Sequence, residues 1–266
     1  ILIMLQPDPG SALVYSAFYF PLLREGLNFT FLIIFFSLLT LFFISLSFEF
    51  IESTGIIGIL FLIIYFILKR FISKIKIWPF ILTFIFSVGF SFSADYIFNN
   101  LFEQRHRDRI NIVIGKNVDV QGVGYNINQS KIAIGSGGLK GKGFLKGTQT
   151  KGDFVPEQQT DYIFSTVGEE WGFLGSLTVI LMFCFLIIRI LKRAEKQNSK
   201  FRRVFSYGVA GLIFVHFFVN IGMSLGIVPT IGIPLPFISY GGSSLLAFSL
   251  MIFIHLNFDA NRLNEW

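Results

Sequence analysis

Residues 171–228 read WGFLGSLTVILMFCFLIIRILKRAEKQNSKFRRVFSYGVAGLIFVHFFVNIGMSLGIV, an apolar run, a basic turn and a second apolar run. An α-helix rises 1.5 Å per residue, so about 20 apolar residues match the roughly 30 Å hydrocarbon core of a bilayer. Trp171–Leu191 and Val204–Val228 are each long enough to cross it. Between them Arg189, Lys192, Arg193, Lys196, Lys200, Arg202 and Arg203 crowd together. Short loops rich in Lys and Arg stay on the cytoplasmic side, so this one stretch sets both the class and the orientation.

Working outward, further apolar segments lie near 11–23, 30–48, 55–68, 77–94 and 236–257, with a stub at 1–5. Of 266 residues, 53% are hydrophobic, enough for roughly seven crossings at about 20 residues each. Only 14% are charged and mean hydropathy is +0.67, which excludes an ordinary soluble domain. The expected fold is an all-α polytopic membrane protein with about seven transmembrane helices plus a remnant of one. Ile1–Leu5 starts abruptly, without an initiator Met or a basic leader, so the chain reads as lacking its N-terminal part. The net charge of +6 would suggest nucleic acid in a soluble chain. Here the basic residues belong to loop topology, and no nucleic-acid partner is expected. Arg24, the cluster Lys69, Arg70, Lys74 and Lys76, and the 189–203 turn fall on alternate connections. One parity satisfies all three and puts residues 6–10, 95–170 and 229–236 on the extracytoplasmic side. The single cysteine, Cys184, excludes an intrachain disulfide and a cysteine metal site.

Residues 95–170 form a connection far longer than usual, and such loops tend to be functional. They carry Arg105, Arg107, Arg109, Lys116, Lys131, Lys140, Lys142, Lys146 and Lys151, positive charge that suits an anionic ligand. Ile134-Gly135-Ser136-Gly137-Gly138-Leu139-Lys140-Gly141-Lys142-Gly143 reads either as a tight turn at the membrane surface or as a phosphate-binding backbone; it is not a Walker A loop. Glu169 and Glu170 stand where loop becomes helix, positions equally suited to capping or to pairing with a loop lysine. Asp161 is either a helix-start residue or, if half-buried, a proton acceptor. Asp8 lies between two prolines, in a turn that could simply end a helix. His216 and Asn220 share a helix face, where interhelical hydrogen bonding competes with ligand binding. Pro229, Gly232, Pro234, Pro236, Gly241 and Gly242 break the connection between the last two spans, and a cavity is expected near Ser239–Ser244.

Read together, Gln6-Pro7-Asp8-x-Gly10, Arg107-Asp108-Arg109-Ile110, Gly124-Tyr125-Asn126, Gln129-Ser130-Lys131 running into the glycine run, Pro156-Glu157-x-x-Thr160-Asp161-Tyr162-Ile163-Phe164, Gly168-Glu169-Glu170 and Pro234-Leu235-Pro236-Phe237-Ile238-Ser239-Tyr240-Gly241-Gly242-Ser243 resemble the SEDS family of RodA and FtsW proteins. The resemblance runs through the chain in the family's order. It implies one SEDS-type membrane domain over 1–266, with 95–170 as its large extracytoplasmic loop. It also implies a peptidoglycan glycosyltransferase of the bacterial cytoplasmic membrane that polymerises lipid II for elongation and shape, with a class B penicillin-binding transpeptidase as partner. Asp161 matches the family's essential loop aspartate and becomes the candidate general base. Asp8, Arg107, Arg109, Lys131, Lys140, Lys142, Glu169, Glu170 and Ser239 are the substrate-binding candidates. No cofactor is certain; a divalent cation, Mg or Mn, could assist the leaving pyrophosphate. The spans near 30–48 and 55–68 look like an addition to the family pattern. A lipid II flippase and a non-catalytic scaffold are the competing readings.

Overall fold

The computed structural model describes residues 9–71, 76–116 and 123–262, and every element among them is helical. In chain order these are α1 (Pro9–Val14), a 3-10 turn (Tyr15–Phe18), α2 (Tyr19–Arg24), α3 (Thr30–Ser47), α4 (Phe50–Phe71), α5 (Trp78–Asn100), α6 (Gln104–Ile114), α7 (Val123–Ser136), α8 (Thr148–Lys151), α9 (Ile163–Ala194), α10 (Lys200–Ser224) and α11 (Gly242–Ala260). Six of them, α3, α4, α5, α9, α10 and α11, are long and apolar enough to cross a membrane. The protein is thus a multi-pass membrane protein.

The expected span at 11–23 is realised differently, as α1, the 3-10 turn and α2 laid end to end. Pro21, inside α2, has no N–H to return to the Ala17 carbonyl of the 3-10 turn before it. The stub at 1–5 lies outside the described residues.

The chain divides into two compact units, residues 28–117 and residues 1–27 with 118–266. The first holds α3 to α6, and its helices meet through aromatic edges: Phe42 on Phe98, Phe50 on Phe92, Phe61 on Phe84 and Tyr65 on Phe80. Three of its buried serines return their hydroxyls to their own helices, Ser45 to the Phe42 carbonyl, Ser53 to Phe50 and Ser87 to Thr83. In hydrocarbon this satisfies a polar group that no water could reach.

In the second unit α10 is the axis. Val209, Ala210 and Ile213 pack with Phe183 and Ile190 of α9, Phe248 of α11 and Leu235. On another side, Val215 and Val219 meet Ala17 and Ile233. Gly211 faces the Ala17 carbonyl, where an added Cβ would stand only 2.7 Å from the oxygen. Small residues let membrane helices approach closely, and this contact fixes the α1–α2 segment on α10.

Candidate functional site

Asp161 lies in the turn that feeds α9, and the connection between α10 and α11 closes on that turn from the other side. Its N–H donates to the Glu157 carbonyl at 3.0 Å, and its own carbonyl accepts from Asn220 Nδ2 at 2.9 Å. The same Asn220 amide donates to the Ile233 carbonyl at 2.8 Å. Tyr240 N–H donates to the Gln159 carbonyl at 2.8 Å, and the Tyr162 and Thr230 hydroxyls share a hydrogen bond at 3.1 Å. The Ser239 hydroxyl donates to the Thr160 carbonyl at 2.6 Å and accepts from Leu235 N–H at 2.8 Å. Ser239 thus stands as a brace between two backbone segments.

Gly232 marks where the Asp161 carboxylate lies. A Cβ built on it would come within 3.3 Å of Asp161 Oδ2, and its φ of +77° also favours glycine. Gly232 lines a cavity of about 430 Å³ together with Gly10, Ser11, Tyr15, His216 and Pro234. This cavity opens at 232–234, and a second of about 330 Å³, lined by Phe237 and Ile238 together with Phe183 and Leu186 of α9, lies next to Ser239. Asp161 is half-buried, against Gly232 of the cavity wall.

Glu169 is a different kind of carboxylate. It is fully buried, and Oε1 receives Lys142 Nζ at 2.7 Å, Thr148 N–H at 2.8 Å and Gln149 N–H at 2.9 Å. Oε2 receives Thr150 N–H at 2.8 Å. Glu169 therefore gathers the first amides of α8 and the loop lysine onto α9, satisfying donors that a short helix leaves open. Lys142, expected to meet a phosphate, has its ammonium on this carboxylate. Glu170 is also buried, and its carbonyl accepts Gly143 N–H at 2.9 Å.

The glycine run is a backbone seam. The N–H groups of Gly141, Lys142 and Gly143 go to the carbonyls of Gly137, Glu169 and Glu170, and Phe173 and Leu174 donate to Gly138 and Leu139. A Cβ on Gly137 would fall on the Gly168 carbonyl oxygen, and one on Gly141 on the Glu170 carbonyl oxygen. At the same level α9 breaks at Gly172, whose φ of 64° and ψ of −159° are closed to other residues. The expectation that these amides cradle a phosphate is corrected: those of 141–143 are already paired inside the protein.

Comparison with known proteins identifies the scaffold. The sequence pattern of a family described as cell cycle protein, named for FtsW, RodA and SpoVE, matches residues 35–264. The chain belongs to this family. Among relatives of the FtsW/RodA/SpoVE chain, the peptidoglycan glycosyltransferase MrdB of Escherichia coli K12 is 45% identical over 159 residues, 58% of this chain and 43% of that protein. The peptidoglycan glycosyltransferase RodA of Treponema pallidum is 36% identical over 176 residues, 66% of this chain and 41% of the relative. The matches thus cover less than half the length of these relatives. A chain from a solved peptidoglycan synthase complex, described as coordinating polymerization and crosslinking, aligns with a TM-score of 0.52 at 26% identity over 71% of this chain and 51% of its own length.

The remaining candidates of this FtsW/RodA/SpoVE chain are placed as follows. Lys140 is exposed at the tip of the glycine seam. Lys131 lies on α7 with its stem and ammonium over Gly226, just past the end of α10, and neighbouring Ser130 donates to the Ser224 carbonyl at 2.8 Å. A cation there faces the negative end of the helix dipole. Arg107 and Arg109 lie on α6 in the 28–117 unit, where Arg107 donates to the Asn99 carbonyl at 2.7 Å. Asp8 lies outside the described residues. Among the described residues no three His, Cys, Asp or Glu side chains converge as a metal site. Sequence reasoning missed Gly232 as the residue that makes room for Asp161; its only signal was its place among the prolines of the break.

Proposed function

We propose that this protein polymerises lipid II into glycan strands at the outer face of the bacterial cytoplasmic membrane, with Asp161 as general base. The observation that carries the reading is the half-buried Asp161 carboxylate set against Gly232 of a cavity whose mainly apolar wall also carries Ser11, Tyr15 and His216, on a segment that the α10–α11 connection grips from several sides. The names of the relatives, peptidoglycan glycosyltransferases, support the substrate class.

In the reaction the acceptor's 4-hydroxyl attacks the anomeric carbon of the lipid-linked donor. A glycosidic C–O bond forms, and the bond from that carbon to the pyrophosphate oxygen breaks. The electron pair leaves with undecaprenyl pyrophosphate, and the hydroxyl proton passes to Asp161. A free alkoxide is too unstable near neutral pH, so proton removal must accompany attack. Lys140, exposed on the glycine seam, is the cation placed to stabilise the leaving group. A class B penicillin-binding transpeptidase would crosslink the product, a pairing supported by the likeness to a synthase complex.

The direct test is polymerisation of purified lipid II by the full-length protein, with and without its transpeptidase. Glycan chains that disappear in Asp161→Asn support the reading. Transbilayer movement of lipid II without polymer would replace it with a flippase. Sidedness is tested by cysteines at Lys151 and Lys196 with Cys184→Ala: an impermeant thiol reagent on spheroplasts should label the first and spare the second.

A further inference from the structure

We propose that residues 138–146, with Trp171, form a foot embedded in the lipid interface of the leaflet opposite the basic 189–203 turn. The inference does not depend on the reaction assigned above. It begins with depth. Phe173 and Leu174 N–H groups donate to the Gly138 and Leu139 carbonyls at 2.8 and 3.2 Å, so the start of the foot lies level with the first turn of the apolar run of α9. From Leu174 to Arg189 the helix rises about 22 Å, less than the roughly 30 Å hydrocarbon thickness. Leu174 therefore lies below the far edge of the hydrocarbon, and Leu139 lies beside it.

The side chains at this depth suit lipid. Leu139 is 72% exposed, Phe144 and Leu145 are each 66% exposed and Trp171 is 55% exposed. The Phe144 and Trp171 rings stand 6.3 Å apart, joining the foot to the outward surface of α9. In water this would be an aggregation-prone patch, whereas Trp and Phe favour the membrane interface. Leu145 holds a φ of 56°, unfavourable for a leucine, at a place where an apolar side chain gains from lipid. Exposed Lys140 and Lys146 flank these residues and can reach up to lipid phosphates while their stems stay in the apolar layer.

The glycine side of the foot's backbone meets the same demand. Irregular chain at membrane depth is tolerated only where its polar groups find partners in the protein. Here the N–H groups of Gly141, Lys142, Gly143 and Lys146 all donate to protein carbonyls. A foot in the interface would also hold the Glu169 anchor and the turn that follows it at headgroup height, where a membrane-linked pyrophosphate would arrive.

The test uses the full-length protein in phosphatidylcholine–phosphatidylglycerol vesicles, with a nitroxide on a sole cysteine at Phe144, at Leu139 or, as control, at Lys151. Two foot sites guard against one substitution misfolding the loop. Lipid-soluble oxygen should collide with the Phe144→Cys and Leu139→Cys labels severalfold more often than a water-soluble nickel chelate, and Lys151→Cys should show the reverse. Nickel access at both foot sites equal to that at Lys151 overturns the proposal. So does protection from oxygen and nickel alike at both foot sites of the protein alone, since the patch would then be packed against protein rather than lipid.

Discussion

Asp161 and Glu169 stand eight residues apart at the entry to α9, yet the protein treats the two carboxylates in opposite ways. Glu169 has no exposed surface, and its oxygens collect one ammonium and the amides of Thr148, Gln149 and Thr150. Asp161 is half-buried at a cavity wall, and Asn220 and Glu157 grip the main chain beneath it. A carboxylate saturated with donors in a dry place is a fastener. One whose backbone is fixed beside a cavity wall fits the general-base role proposed for it.

The largest effect should come from Asp161. Asp161→Asn keeps the shape and the backbone bonds but removes the proton acceptor, a loss of about 10²–10⁴-fold in polymerisation rate at a temperature where the variant is still folded. Asp161→Glu should keep only a trace of activity. Near wild-type glycan synthesis by well-folded Asp161→Asn would erase the contrast between the two carboxylates.

The reverse pattern is expected at the Glu169 anchor. Lys142→Ala leaves a buried carboxylate without its cation and should cost about 3 kcal/mol, the low end for a broken buried pair because Lys142 is 27% exposed. Lys140→Ala, at an exposed site, should change stability by less than about 0.5 kcal/mol. Thermal unfolding in detergent separates the two lysines. Equal stability of both variants would mean that the Glu169 bond is not what holds the loop.

Glycines of the seam sharpen the same point with a smaller effect. A Cβ at Gly137 would fall on the Gly168 carbonyl oxygen, whereas one at Gly135 meets nothing within 4 Å. Gly137→Ala should destabilise by about 1–3 kcal/mol, as overpacking does. Gly135→Ala, inside α7, should be neutral or stabilising by up to about 1 kcal/mol. If instead both variants stay stable and only lipid II use falls, the run binds a ligand rather than α9.

These contrasts explain how far the sequence could be read. Long apolar helices announce themselves by composition, because lipid accepts little else, so α3, α4, α5, α9, α10 and α11 were legible. The 11–23 segment was apolar enough to pass as a span, but hydropathy does not register a 3-10 turn or the missing Pro21 amide. The glycine run was ambiguous for another reason. Its partner, the 168–174 stretch, comes close only through the fold, and a glycine needed for packing looks in sequence like one needed for a phosphate. The break between α10 and α11 was visible in its prolines. That Asn220 would join Ile233 to Asp161 was not, since both bonds span turns whose geometry no local pattern specifies.

The smallest effect is expected at a third carboxylate, Glu195, just past α9, which is exposed and yet strongly paired. Arg24 donates to it from Nε and from a terminal nitrogen, each at 2.8 Å, and the Tyr207 hydroxyl donates to it as well. The Arg24 bond and the Tyr207 bond hold its carboxyl well below the ordinary 4.5, at about 2. A carboxylate with a depressed folded value adds stability that is fully present above the unfolded value and is lost as pH falls through the folded one. The stability gap between wild type and Glu195→Gln should therefore be constant from neutral pH to about 4.5 and close as pH falls toward about 2. It should also shrink in high salt, because both side chains keep more than 40% of their surface in solvent and exposed ion pairs are readily screened. Thermal unfolding of both proteins across that pH range measures it. A gap as large as that for Lys142→Ala, or one that opens rather than closes in acid, would show that exposure is not what separates a strong fastener from a weak one.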